Sequence, residues 1–133
     1  MIVDPEYQQQ LVTMHQQGKF IRGNKILAIL QPFLEQYQPT SLLDFGCGHG
    51  DLMTSIQEVY PSMRVEGYDP GNPFHSRMPK RQFDAVISAD VFEHIEPGYL
   101  AETLQLIGNK MTVAGWFRIA CYPAKKQRSE EHT

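Results

Sequence analysis

The apolar and polar positions along the chain follow two patterns, one typical of helices and one typical of strands. Apolar residues at the three-four spacing of an amphipathic helix occur in three segments: 24–37, 51–59 and 96–108. Short apolar runs bounded by glycine, proline or polar residues, which are typical of buried strands, occur in four: 39–46, 64–68, 83–89 and 115–122. Helices and strands therefore alternate, which predicts an α/β fold with a parallel sheet.

Three segments lie outside this alternation. The glutamine-rich segment 4–23 has apolar positions on roughly one helical face and predicts a loosely held helix, and Pro32 is expected to kink or restart the helix that follows. Segment 70–82 contains several prolines and is too short for a helix and a strand, so it predicts a long loop. The polar tail 124–133 is expected to fray.

Length and composition indicate one globular domain. A chain of 133 residues and 15.2 kDa with 41% hydrophobic and 20% charged residues has enough apolar surface for one core, which excludes wholesale disorder. We expect one domain over 1–133, made of N-terminal helices (1–38), a ligand-binding core (39–123) and the tail (124–133). The net charge of −3 gives no sign of a nucleic-acid partner.

The cellular setting follows from what the sequence does not contain. No apolar stretch approaches the roughly 18 to 20 residues that a membrane span needs, and the first residues are acidic instead of basic. Cys47 and Cys121 are too few for a disulfide framework. We therefore expect a soluble, cytoplasmic protein with no membrane partner.

A glycine-rich turn carries the clearest chemical signal. Gly46, Gly48 and Gly50 stand at alternate positions directly after a predicted strand and before a predicted helix. Glycines there let the backbone approach a ligand closely, and the following helix presents free N–H groups. The dinucleotide fingerprint would need its third glycine where Asp51 stands, which disfavours NAD and FAD. A different nucleotide-like ligand is expected, and the N–H groups of the turn are expected to supply the donors that a buried Asp44 needs.

Three motifs in order resemble the class I S-adenosylmethionine-dependent methyltransferases. The G-x-G-x-G spacing after Asp44 resembles the first motif of that family, and Asp69 in Val-Glu-Gly-Tyr-Asp-Pro resembles its ribose-binding acid. The run that begins at Phe83 and contains Glu-His-Ile resembles the family's fourth-strand segment. The resemblance implies a Rossmann-like three-layer sandwich and an S-adenosylmethionine-dependent methyltransferase with an unidentified acceptor. The residues it implies for cofactor binding are Asp44, Gly46, Cys47, Gly48, Gly50, Asp69, Pro70, Asp90 and Val91.

The sequence departs from that family in two places. The family's third strand has no counterpart, and the residues up to Thr133 offer no segment for its final antiparallel hairpin, so we expect a reduced, mostly parallel sheet. A natural minimal form, completion by a neighbouring subunit and a truncated chain all remain open. Two further functions also remain open: a non-catalytic S-adenosylmethionine-binding or accessory module, and an enzyme that cleaves the cofactor.

Glu93 and His94 are the candidate catalytic residues, and Asp90 stands three residues before Glu93. A helical turn that begins at Asp90 would place all three on one face. In one interpretation His94, with Glu93 beside it, is a general base for the methyl acceptor. In another the three bind magnesium or manganese, in a segment that resembles the metal site of small-RNA 2′-O-methyltransferases, with His132 as a further ligand. In the third they only pack at the end of the strand.

The last predicted strand suggests a partner. Without the final hairpin its apolar edge, with Trp116 and Phe117, has unpaired backbone groups. We expect antiparallel self-association or contact with another protein through this edge, or else coverage of the edge by the tail 124–133.

Overall fold

Four parallel strands form the sheet of the computed structural model, which describes residues 21–120. The elements in chain order are α1 (Ile21–Tyr37), β1 (Ser41–Phe45), α2 (Asp51–Val59), β2 (Arg64–Tyr68), β3 (Phe83–Ala89), a short 3-10 helix (Phe92–His94), α3 (Pro97–Lys110) and β4 (Met111–Arg118). The sheet order is β2-β1-β3-β4.

The strand order places a crevice beside β1. The chain leaves β1 through α2 to reach β2 on one side, and β3 pairs with β1 on the other side, with Asp44 between Gly67 and Ile87. All the strands are parallel, so their carboxyl ends meet at one edge of the sheet. Ligands of open α/β sheets bind outside that edge, where the strand order reverses.

Helices cover both faces of the sheet. On one face, α1 and α2 bury Leu30, Leu34 and Ile56 against alternate strand residues such as Leu42 and Ile87. On the other face the core residues are Leu43, Phe45, Phe83, Val86 and, from α3, Ile107. These layers confirm the expected α/β three-layer sandwich with a reduced sheet. The loop 70–82 adds Met78 to the second face in place of a helix.

Several boundaries follow the sequence pattern and others do not. The bounds predicted for α2, β2 and β3 are those of the structure, and no strand forms between β2 and β3. The last strand was expected over 115–122, which is wrong, because β4 begins at Met111 directly after α3 and ends at Arg118. Its early start comes from pairing between Met111 and Phe83 at the beginning of β3.

Helix α1 continues through Pro32 without restarting. A proline inside a helix removes the backbone N–H that would bond to the carbonyl four residues earlier, here that of Ala28. Ala28 is exposed, so water can satisfy this carbonyl. The predictions for 4–23 and 124–133 lie outside the described residues. Within 21–120, no helix is both long and apolar enough to cross a membrane.

Candidate functional site

A cavity of about 760 Å³ lies at the carboxyl ends of β1, β2 and β3. The residues expected at the site that line it are Asp44, Gly46, Cys47, Gly48, Asp69, Pro70, Asp90, Val91 and His94. Gly50 and Glu93 do not line it. Ile26 and Leu52 from the helices on one face, and Ile95, Thr103 and Leu106 on the other side, also line it. The strand ends thus bring together residues far apart in sequence.

The glycine turn after β1 is fixed by hydrogen bonds to the end of β2. The N–H groups of Gly46 and Cys47 both donate to the carbonyl of Tyr68, at 2.7 and 3.1 Å. Gly46 has a φ of +84°, and a Cβ there would overlap the side chain of Val91. Gly48, with a φ of +57°, has nothing within 4 Å of where its Cβ would be. Gly46 is therefore required by packing, whereas Gly48 leaves open space beside the backbone.

Gly67 in β2 is a site residue that sequence reasoning missed. A Cβ at Gly67 would lie 2.7 Å from Sγ of Cys47 and 2.5 Å from Sδ of Met53. The absence of a side chain lets the glycine turn and α2 pack closely over β2. A glycine inside a strand pattern often marks such a close approach, so its position in Arg64–Tyr68 was an available signal.

Asp69 links the glycine turn to the loop that follows β2. Its Oδ2 accepts a hydrogen bond from the N–H of Gly48 and its Oδ1 from that of Gly71, both at 2.8 Å. The side chain of Asn72 donates to the carbonyl of Gly48, also at 2.8 Å. Each carboxylate oxygen keeps a further lone pair for a ligand. Asp69 lies where the motif predicts, and Asn72 is a second supporting residue that the sequence analysis missed.

Asp44 is buried on β1 at the base of the cavity, with 2% of its surface exposed. We expected N–H donors from the glycine turn, and this was wrong. The amides of Gly46 and Cys47 donate to Tyr68, and that of Gly48 donates to Asp69. Burial, and then the nearby Asp69, raise the pKa of Asp44 from 3.8 to about 7.

The same environment acts on the thiol of Cys47. Burial, followed by the charges of Asp44 and Asp69, raises its pKa to about 12. A thiol with a raised pKa remains protonated and is a poor nucleophile at neutral pH. Cys47 is therefore a packing residue beside two carboxyl groups, and a cation entering the cavity would interact favourably with both of them.

The segment after β3 does not form the expected helical face. Asp90 has a φ of +60°, which lies outside the helical region, and the 3-10 helix begins only at Phe92. Both carboxylate oxygens of Asp90 lie 2.7 Å from Nη1 of Arg118. The shared face of Asp90, Glu93 and His94 is therefore absent.

Glu93 and His94 lie close together but in different environments. Oε2 of Glu93 is 3.9 Å from Nε2 of His94, and Oε1 is buried with no hydrogen-bond partner. The His94 side chain is 69% exposed at the cavity, whereas that of Glu93 is 10% exposed. Across residues 21–120, no group of three or more His, Cys, Asp or Glu side chains is arranged to hold a metal ion. His132 lies outside that range.

Comparison with known proteins points to one family. A family model described as a methyltransferase domain matches residues 15–128. Three structures of the plantazolicin methyltransferase BpumL share the fold at a TM-score of 0.55 and 16% identity. They contain SAH and a pentazolic, triazolic or monoazolic desmethylPZN analog. The likeness covers 82% of this chain and 50% of that chain, so this chain spans about half their length. Among curated proteins, none matches.

The packing of Gly46 predicts a large cost for a small substitution. We expect Gly46→Ala to lower the free energy of unfolding by about 2 kcal/mol or more, because its φ is positive and its Cβ would overlap Val91. Gly108→Ala in α3 is the matched control. It meets nothing within 4 Å and should raise the free energy of unfolding by up to about 1 kcal/mol. Urea unfolding measures both, and equal stability of the two variants would contradict the packing argument.

The raised pKa of Asp44 predicts a pH dependence of stability. Between pH 3.8 and about 7 the folded chain binds a proton at Asp44 that the unfolded chain has lost, so the free energy of unfolding should fall as pH rises through this range. Asp44→Asn should remove this component, and urea unfolding at pH 5 and pH 8 measures it. Asp84→Asn is the control and should keep this pH dependence, because hydrogen bonds from Thr40 lower the pKa of Asp84 instead of raising it. An unchanged slope in Asp44→Asn would overturn the assignment.

Proposed function

The chain belongs to the methyltransferase domain family, and from that premise we propose that its cavity binds S-adenosylmethionine for methyl transfer to an acceptor. The observation that carries the proposal is the position of Asp69. Its carboxylate lies at the end of β2, held by the amides of Gly48 and Gly71, beside the open backbone of Gly48 and above the buried Asp44. This arrangement supports the motif assignment at each of its two acidic positions.

The chemistry of the cavity fits this cofactor. A cavity of about 760 Å³ lies within the usual range of roughly 300 to 1,000 Å³ for small-molecule sites. S-adenosylmethionine carries a ribose diol, an ammonium group and a sulfonium cation. Asp69 would accept hydrogen bonds from the ribose hydroxyls, and the two carboxyl groups would favour the cationic end. Gly46, Cys47, Gly48 and Gly50 would form the turn beneath it, and Pro70, Asp90 and Val91 would form the wall.

The proposed mechanism depends mainly on positioning. The sulfonium of the bound cofactor supplies an activated methyl group, so the chain needs to hold two reactants in line and exclude water. His94, exposed at the cavity, would take a proton from an acceptor that must lose one. Glu93 would support it from 3.9 Å. An acceptor that has no proton to lose, such as a tertiary amine, and one that loses its proton before binding would not need this base.

The first test of the proposal is binding of S-adenosylhomocysteine, measured by calorimetry. We expect Asp69→Ala to weaken binding by at least tenfold, because a charged hydrogen-bond acceptor contributes roughly 1.5 to 3 kcal/mol. Gly48→Val should weaken it as well, because the added side chain would fill the open space beside the turn. Asp84→Ala removes a carboxylate near the opposite end of the sheet and should leave binding unchanged. Wild-type affinity in both Asp69→Ala and Gly48→Val would remove the assignment.

The second test separates an enzyme from a binding module. The chain is incubated with methyl-labelled S-adenosylmethionine and a cell lysate, and both the label and the nucleoside product are followed. Label on an acceptor, with S-adenosylhomocysteine formed, supports the methyltransferase, and a lower rate in His94→Asn supports the base. Binding without turnover would indicate the accessory module. Cofactor breakdown without a labelled acceptor would indicate a cleaving enzyme.

We further propose a cytoplasmic location and self-association through β4. The small number of cysteines supports the location. Within the described sheet β4 is an edge strand. Its Val113 and Phe117 are 60% and 38% exposed, and Ile119, directly after the strand, is 52% exposed. An apolar edge of this kind favours antiparallel pairing of two copies about a two-fold axis.

Light scattering at micromolar concentration tests the self-association. We expect a dimer in the wild type and a monomer in Val113→Lys, because a lysine on an edge strand opposes pairing with another strand. Val59→Lys is the control, since Val59 is 49% exposed on α2 and far from the edge. A wild-type monomer, or a Val113→Lys dimer of unchanged affinity, would contradict the proposal.

A further inference from the structure

Three contacts tie the segment after β3 to the end of β4. The N–H of Asp90 donates to the carbonyl of Arg118 at 2.8 Å, and Nη1 of Arg118 lies 2.7 Å from both carboxylate oxygens of Asp90. Two residues further on, the rings of Phe92 and Phe117 are in contact, with centroids 5.2 Å apart. Backbone and side chain of Asp90 are thus both held by the same residue of the neighbouring strand.

The backbone at Asp90 explains why such a restraint is needed. Its φ of +60° is the left-handed conformation, which is unfavourable for a residue with a Cβ, although aspartate adopts it more readily than most. Nothing in the sequence around it supplies a glycine for this turn. The turn directs Val91 onto Gly46, where even a single added carbon would overlap it. The conformation of Asp90 therefore sets how closely the segment packs on the glycine turn.

We propose that Arg118 is a positioning residue for the cofactor site. Its ion pair holds Asp90 in the left-handed conformation, and Asp90 in turn holds Val91 against Gly46 at the cavity. This inference rests on the proposed function. Arg118 does not line the cavity, and its side chain is 41% exposed, so it acts through Asp90. Asp90 then acts on the cofactor site through its backbone conformation, which the ion pair with Arg118 restrains.

Arg118→Met tests the ion pair, because it removes the charge and keeps a long side chain. We expect its affinity for S-adenosylhomocysteine to fall about tenfold, since hydrogen bonds between charged groups are among the stronger ones. Arg118→Lys, which keeps the charge, should remain within about threefold of the wild type. Arg64→Met is the matched control. It removes a cation of similar exposure from an ion pair with Glu66 on the other edge strand, and its affinity should not change.

Substitutions at Asp90 distinguish a backbone role from a direct contact. Glycine adopts a positive φ without a restraint and alanine does not, so Asp90→Gly should bind at least threefold more tightly than Asp90→Ala. Adding Arg118→Met to Asp90→Gly should then change the affinity less than twofold. If the carboxylate contacted the cofactor directly, the glycine and alanine variants would lose affinity equally, and that result would overturn the inference.

Amide hydrogen exchange tests the inference without any ligand. In Arg118→Met we expect faster exchange at residues 46–50 and 90–94, with the middle of β1 unchanged, and we expect no such change in Arg64→Met. Unchanged exchange in both segments would reject the inference even if the protein bound no cofactor at all. If the wild type binds no cofactor but the exchange changes as expected, the proposed function is rejected. The role of Arg118 in holding Asp90 would then still be supported.

Discussion

The whole site depends on one close approach of backbone segments, where the chain leaving β1 crosses the end of β2. Gly67 faces this crossing toward Cys47, and Gly46 faces the segment after β3 at Val91; a Cβ at either position would collide with its neighbour. The carbonyl of Tyr68 then accepts two amides of the turn. Because interiors are densely packed and yield little, a crossing this tight fixes the positions of the turn, α2 and the start of the following loop together. The cavity is the space that remains at the strand ends.

The electrostatics of the cavity follow from the same crossing. Both oxygens of Asp69 accept hydrogen bonds from backbone amides, which hold its carboxylate beside the cavity. Asp44 is buried and receives no hydrogen bond from those amides. The pKa of Asp44 is raised because its charged form is poorly solvated and lies near a second carboxylate. Such an arrangement is unfavourable for the empty fold and favourable for a cationic ligand, which would neutralise both groups. The same burial of carboxyl groups that lowers the stability of the empty fold would therefore increase the affinity of the cavity for a cation.

The sequence pattern predicted the parts of the fold that local rules govern. Helix α2 and strands β2 and β3 have clear periodicity and breakers at their ends, and the glycine turn lies between two such elements. The start of β4 was misplaced because Met111 follows α3 without a turn signal and is drawn into the sheet by pairing with Phe83. The missing donors at Asp44 and the left-handed Asp90 had no local signal either. Both depend on which distant groups the fold brings within reach, Tyr68 and Asp69 in one case and Arg118 in the other.

Strand β4 has two roles in the described sheet: it forms an edge of the sheet, and its last residue holds a turn at the cavity. This turn packs on the glycine turn after β1. An edge strand has neighbours on one side only, so its end depends on fewer contacts than the end of a central strand. The exposed apolar residues Val113 and Phe117 lie in this same strand, and Ile119 follows it directly. The edge strand and the cavity are therefore connected through the contacts of Arg118 with Asp90.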